Sequence, residues 1–209
     1  MVDRVRVKIC GITSIPDALA AAEAGADAIG LMFFERSPRF LNFEKAAQIT
    51  RELPPFVTRV GVFVDPTLEF VTEAVRQCSL TAIQLHGSET PEFCGRMPLD
   101  VIKAFRIAGP ETISPIKGYA TRAWLLDTFV AGQPGGTGAT FNWDLAVHVK
   151  QWRRPIVLAG GLTPANVAKA VQEVRPCAVD VSSGVEMAPG KKDHQKIRDF
   201  ISAAKQGSP

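Results

Sequence analysis

Short apolar or β-branched runs recur along the whole chain, and the segments between them repeat apolar positions at helical spacing. Eight such runs, at residues 5–10, 27–33, 57–64, 81–85, 101–105, 123–127, 156–159 and 178–182, predict strands. The stretches 14–25, 43–53, 67–78, 89–97, 111–119, 142–150, 163–174 and 191–205 predict helices. Several helices carry start signals, of which Thr163-Pro164 is the clearest. Proline has no amide hydrogen to lose in a first turn, and a threonine hydroxyl can accept from an otherwise unpaired helix amide. Gly25 is placed to close the first helix. The fifth helix is interrupted by Gly109-Pro110 and Ser114-Pro115.

Strict alternation of strand and helix implies a parallel sheet, because each return crossover is a helix. Either an open doubly wound sheet or a closed barrel satisfies it. The open dinucleotide-binding sheet calls for a GxGxxG turn after an early strand, which Cys10-Gly11-Ile12-Thr13 does not supply. The expectation is therefore an α/β protein, a compact (β/α)8 TIM barrel forming a single domain over residues 1–209. That length lies near the lower limit of roughly 200 residues for this fold, so the loops must be short.

Composition adds exclusions. With 46% hydrophobic and 22% charged residues, disorder is ruled out. The 24 Lys plus Arg against 21 Asp plus Glu leave a net charge of +3, scattered along the chain. This is too mild for a nucleic-acid partner but suits a small anionic substrate. The first ten residues alternate charged and β-branched positions and lack the apolar stretch of a signal peptide. No run approaches the roughly 18 apolar residues of a membrane span, so a cytoplasmic location and no membrane association are expected. The four cysteines show no CxxC and no metal-ligand spacing, which predicts free thiols and no bound metal. No cofactor motif is evident.

In a barrel of this kind the chemistry lies at the carboxyl ends of the strands. The run ends are Cys10, the loop carrying Arg36 and Arg39, Asp65, His86, Arg106, Asp127, Gly160-Gly161 and Ser182-Ser183-Gly184. Alternation with period two adds a filter. If Val5, Val7 and Ile9 face helices, Lys8 and Cys10 point inward, and the same parity sends Gln84, His86, Asp180 and Ser182 inward. Lys103 points inward if Ile102 and Ala104 face helices. Buried Lys8, Lys103 and Asp180 must pair or serve a ligand, with Lys8 and Asp180 on adjoining strands as the obvious partners.

The glycine-rich ends of strands seven and eight suit a phosphate held by backbone amides, although tight turns use the same residues. The loop at residues 128–140 carries Gly132, Gly135, Gly136 and Gly138 and either closes over a substrate or is a surface loop. Asp127 ends an apolar run, which fits a general acid with a raised pKa or a capping carboxylate. Cys10 beside Lys8 fits either a thiolate of lowered pKa or an inert buried thiol.

These residues resemble the phosphoribosylanthranilate isomerase family of tryptophan biosynthesis nearly end to end. The likeness is carried by Val-Lys-Ile-Cys-Gly-Ile-Thr at residues 7–13, Gly-Ala-Asp-Ala-Ile-Gly at 25–30, Arg-Val-Gly-Val-Phe-Val at 59–64 and Gln-Leu-His-Gly at 84–87. It continues through Leu-Leu-Asp at 125–127, Gly-Gly-Thr-Gly at 135–138 with Phe-Asn-Trp at 141–143, Ala-Gly-Gly-Leu at 159–162, and Val-Asp-Val-Ser-Ser-Gly-Val-Glu at 179–186 with Pro-Gly-Lys-Lys-Asp-His at 189–194. The departures are Ala159, where serine is frequent, and Asn142, where aspartate is common.

The resemblance implies an Amadori rearrangement in which Asp127 protonates the furanose ring oxygen and Cys10 removes the C2′ proton. It implies that Arg39 binds the anthranilate carboxylate, with Arg36 the nearby decoy, and that the phosphate lies against Gly160, Gly161, Ser183 and Gly184, with Gly136 and Gly138 above it. His86 receives no catalytic step. The partner implied is a small phosphorylated substrate, and the assembly is a monomer or homodimer. The chain ends about four residues after its last expected helix, which fits a stand-alone version of a barrel elsewhere fused to indole-glycerol-phosphate synthase. A histidine-pathway isomerase would use a carboxylate where Cys10 stands, a cysteine hydrolase would need a histidine motif around His86, His148 or His194, and a non-catalytic barrel would need neither thiol nor acid.

Overall fold

The computed structural model describes residues 4–127 and 143–207. The elements follow as β1 (Arg6–Cys10), α1 (Ile15–Glu23), β2 (Ala28–Met32), α2 (Phe43–Glu52), β3 (Thr58–Phe63), α3 (Leu68–Cys78), β4 (Ala82–Leu85) and α4 (Pro91–Cys94). They continue as β5 (Val101–Arg106), β6 (Ala123–Asp127), α5 (Asp144–Lys150), β7 (Ile156–Ala159), α6 (Val167–Val174), β8 (Ala178–Val181), the antiparallel hairpin β9 (Glu186–Ala188) and β10 (Lys191–Lys192), and α7 (His194–Gln206). Strands β1 to β8 pair in sequence order and β8 returns to β1 in parallel, closing the expected (β/α)8 barrel. Among the described residues no helix is long and apolar enough to cross a membrane.

Local chemistry explains the helix starts. Ser14, Asn42, Thr67 and Thr90 each accept the amide of the residue three further on, satisfying a donor the helix cannot. Gly25 follows the α1 cap as expected, with a left-handed φ of 91° and its amide on the Ala22 carbonyl.

Three boundaries differ from the sequence pattern. The interrupted fifth helix is two short 3-10 turns, Pro110–Thr112 and Ser114–Gly118, because Pro115 falls inside the expected helix and lacks the amide that an unbroken helix would need there. The chain turns from Thr163, but α6 begins at Val167, and it is the Asn166 side chain that bonds back to the Thr163 amide. The last helix begins at His194 rather than residue 191, since Gly190 at φ 77° folds Lys191–Lys192 back onto Glu186–Ala188.

The strand alternation divides two cores. Val7, Ile9, Ile29, Leu31, Ile83, Leu85, Val179 and Val181 pack outward against the helices. Inside, Ala104, Leu125 and Val157 form one small apolar cluster and Cys10, Val60 and Val62 another. Lys8 and Asp180 face each other in register across β1 and β8, and Lys8 Nζ donates to Asp180 Oδ1 at 2.8 Å. Burial works against the Lys8 ammonium, yet Asp180 and the neighbouring Cys10 outweigh it and hold its pKa above the usual value. The expected pair is thus present.

Lys103 is a correction. Ile102 and Ala104 pack inside the barrel, so Lys103 points outward, over the ring of Phe105 and 3.3 Å from Glu89 Oε2. Its Nζ also donates to the Gly87 and Ala104 carbonyls, which satisfies the buried charge. Residues as small as Ala104 suit either face, whereas outside the barrel Lys103 meets the Glu89 carboxylate and the Gly87 carbonyl.

The Lys8–Asp180 pair yields a stability prediction. Asp180→Ala should destabilise the fold by about 3–5 kcal/mol by leaving a buried ammonium uncompensated, whereas Lys8→Met with Asp180→Leu should restore most of that loss. Urea unfolding measures both; a single variant within about 1 kcal/mol of wild type would mean that the pair is solvated.

Candidate active site

A cavity of about 250 Å³ opens at the carboxyl ends of the strands. Cys10, Arg39, Asp127, Gly160, Gly161, Ser183 and Gly184 all line it, so residues drawn from five strand ends converge on one space. Gly136 and Gly138 lie outside the described residues. Arg36 is exposed and takes no part in the lining. A larger, more open depression of about 510 Å³ near Pro16, Met187 and His194 contains neither the thiol nor Asp127, so the chemistry belongs to the smaller cavity.

Cys10 ends β1 opposite Gly30 of β2. A Cβ at Gly30 would stand 2.8 Å from the Cys10 sulfur and 3.1 Å from Lys8 Nζ, so the glycine makes the room that the thiol occupies. Burial pushes the thiol pKa up; Lys8 pulls it down, Asp180 adds to the rise, and Lys192 pulls it down, leaving it above its ordinary value. Of the two readings open for Cys10, the lowered pKa is the one overturned, because desolvation outweighs both cations.

Asp127 ends β6 with its carboxyl partly buried, and Oδ2 lies 3.3 Å from His86 Nε2. His86 Nδ1 in turn lies 3.1 Å from Gln84 Nε2. Among the described residues, Gln84 Oε1 and the hydroxyl of Ser182 are buried without a hydrogen-bond partner, and both residues line the cavity. Orphaned polar atoms in such a position suit a polar ligand.

Arg39 grips Glu186 through two hydrogen bonds, Nε to Oε1 at 2.8 Å and Nη2 to Oε2 at 2.6 Å. Glu186 also accepts from Lys192 Nζ at 2.8 Å. The hydrogen bonds from Arg39 raise that arginine's pKa, and although burial alone would raise the Glu186 carboxyl, Arg39 and Lys192 bring it below the usual value. The two glycine loops meet across the mouth. Gly160 and Gly161 both adopt left-handed φ, 85° and 61°, which makes the sharp turn after β7. A Cβ on Gly184 would collide with the Leu162 carbonyl oxygen, so the loops after β7 and β8 fit together only with glycine there.

The protein-family model for N-(5'phosphoribosyl)anthranilate (PRA) isomerase matches residues 7–203. The chain belongs to this family. An N-(5'-phosphoribosyl)anthranilate isomerase from Geobacter sp. (strain M21) is 54% identical over 201 residues, covering 96% of this chain and 98% of its own. The crystal structure of phosphoribosyl anthranilate isomerase from Thermotoga maritima superposes with a TM-score of 0.91 at 47% identity, covering 96% of this chain and 98% of that one. A phosphoribosyl anthranilate isomerase in complex with reduced 1-(o-carboxyphenylamino)-1-deoxyribulose 5-phosphate superposes with a TM-score of 0.87 at 45% identity, covering the same shares.

In this PRA isomerase family member, sequence reasoning missed Gly30, Glu186 and Lys192 as parts of the site. Glu186 stands at the end of the glycine-rich run after β8 and Lys192 in the expected last helix, and only the hairpin reveals that Lys192 is buried. Gly30 carried a signal, a glycine inside an apolar strand.

Alkylation by iodoacetamide, followed site by site by mass spectrometry, should show Cys10 reacting with a pH midpoint above that of an ordinary thiol. Lys8→Met should raise the midpoint further, since it removes a cation that favours the thiolate. A midpoint below that of free cysteine would mean that the cations outweigh burial.

Proposed function

We propose that this chain catalyses the Amadori rearrangement of N-(5-phosphoribosyl)anthranilate to 1-(2-carboxyphenylamino)-1-deoxyribulose 5-phosphate in tryptophan biosynthesis, by general acid–base catalysis. A single barrel over residues 1–209 is the unit that does so. The observation that carries the reading is that Cys10 and Asp127 share one cavity with an arginine and two glycine-rich loops.

Asp127 gives its proton to the furanose ring oxygen as the bond from that oxygen to C1′ breaks, leaving a Schiff base. The resulting carboxylate is stabilised by His86, whose Nε2 already lies 3.3 Å away. The Cys10 thiolate takes the proton from C2′, and the enolamine tautomerises to the ketone. C1′ is reduced as C2′ is oxidised within one molecule, so the chemistry calls for proton transfers alone and no redox cofactor. Lys8 and Lys192 lower the cost of forming the thiolate in a buried setting that otherwise disfavours it.

Arg39 presents a guanidinium to the anthranilate carboxylate. The phosphate rests against Gly160, Gly161, Ser183 and Gly184, where the glycines let backbone amides approach. Free thiols at all four cysteines accord with a cytoplasmic setting.

Loss of fluorescence from freshly made phosphoribosylanthranilate, with indole-glycerol-phosphate synthase in excess, tests the reaction. Cys10→Ala and Asp127→Ala should each lower turnover at least about a hundredfold while thermal melting stays near wild type. Near-normal turnover in either variant would remove that residue from the mechanism. Arg39→Ala should raise KM more than it lowers kcat, and a pure loss of kcat would contradict its binding role.

A further inference from the structure

An arginine that binds a carboxylate needs its planar fork aimed before the ligand arrives, since a long, freely rotating side chain loses rotamer freedom on binding. Arg39 is already committed along one edge. Its Nε and Nη2 hydrogens go to Glu186, at 2.8 and 2.6 Å, which leaves the Nη1/Nη2 end as the remaining bidentate edge. Among the described residues no acceptor is bonded to Nη1, and Arg39 lines the cavity.

Glu186 is fixed in turn. It is buried and accepts from Lys192 Nζ at 2.8 Å and from the Gly190 amide at 3.3 Å. Lys192, 1% exposed, spends its other two hydrogens on the Cys10 carbonyl at 2.6 Å and the Ser182 carbonyl at 3.1 Å. Every hydrogen of the ammonium is therefore placed, and each acceptor belongs to the catalytic face of the barrel. The plane of Arg39 is thus referenced to the backbone that carries the thiol and to the backbone that begins the β8 loop.

We infer that Glu186 is a positioning residue that sets the specificity for the substrate carboxylate. It holds the Arg39 guanidinium with its free edge toward the carboxylate, and Lys192 anchors it to the Cys10 and Ser182 backbone. This rests on the reading of Arg39 as the carboxylate ligand.

The test compares kcat/KM for N-(5-phosphoribosyl)anthranilate with that for N-(5-phosphoribosyl)aniline, which lacks the carboxylate. Glu186→Gln should lower the ratio about tenfold, mostly through KM for the carboxylated substrate, with little change for the aniline. If the single variant leaves Lys192 uncompensated and fails to fold, Glu186→Gln with Lys192→Met removes both buried charges together and reads the same ratio. An unchanged or increased ratio, or an equal loss on both substrates, overturns the proposal and leaves Glu186 a structural ion-pair partner. Arg39→Ala separates the two readings. If it lowers the ratio and the Glu186 variants do not, the orienting role alone fails; if it leaves the ratio at the wild-type value, the carboxylate role of Arg39 fails and the proposal falls with it.

Discussion

Where the last barrel strand meets the first, backbone pairing is reinforced by buried charge. Lys8 and Asp180 pair inside the barrel at positions in register, and on the catalytic face Lys192 ties the Cys10 carbonyl of β1 to the Ser182 carbonyl beyond β8. Taking such charges out of water is costly, and the cost is offset only when every donor has an acceptor at good geometry. The seam therefore tolerates little variation. Its demand for one geometry is what places the thiol, the glycine loops and Arg39 relative to one another.

The remaining strands supply a rigid frame for this junction. Outward aliphatic residues bury against the helices, while the interior closes with small apolar clusters built mainly of alanines and valines with Ile102 and Leu125, leaving polar side chains chiefly at the carboxyl ends. Asp127 reaches the cavity from the far side, and the chain from Gln84 through His86 gives its carboxyl a partner that does not depend on the seam. Acid and base are thus supported by separate arrangements.

Much of this was legible in the sequence. The alternation of Val179 and Val181 with Asp180, or of Ile83 and Leu85 with Gln84, states which face is which, and the strand ends gather the polar and glycine residues that line the cavity. Lys103 was misread because Ile102 and Ala104 fit either face, so the parity of that strand had no strong anchor. The direction of the Cys10 shift stays open in the sequence because a neighbouring lysine is visible there and the depth of burial is not. Glu186 and Lys192 stayed hidden for a related reason: their partners are 147 and 182 positions away, and a Lys-Lys pair beside Asp and His looks like an exposed helix start.

The seam also bears on how the protein comes into being. Residues 8 and 180 are separated by 172 positions, so neither the buried ion pair nor the cradle around Cys10 can form until almost the entire chain has left the ribosome. Early strands can pair with their neighbours as they emerge, but Lys8 waits without its counter-charge and the β1 edge stays open. Synthesis therefore passes through an interval in which no catalytic site can exist, and a chain interrupted before β8 would lack both the partner strand of the β1 edge and the counter-charge of Lys8.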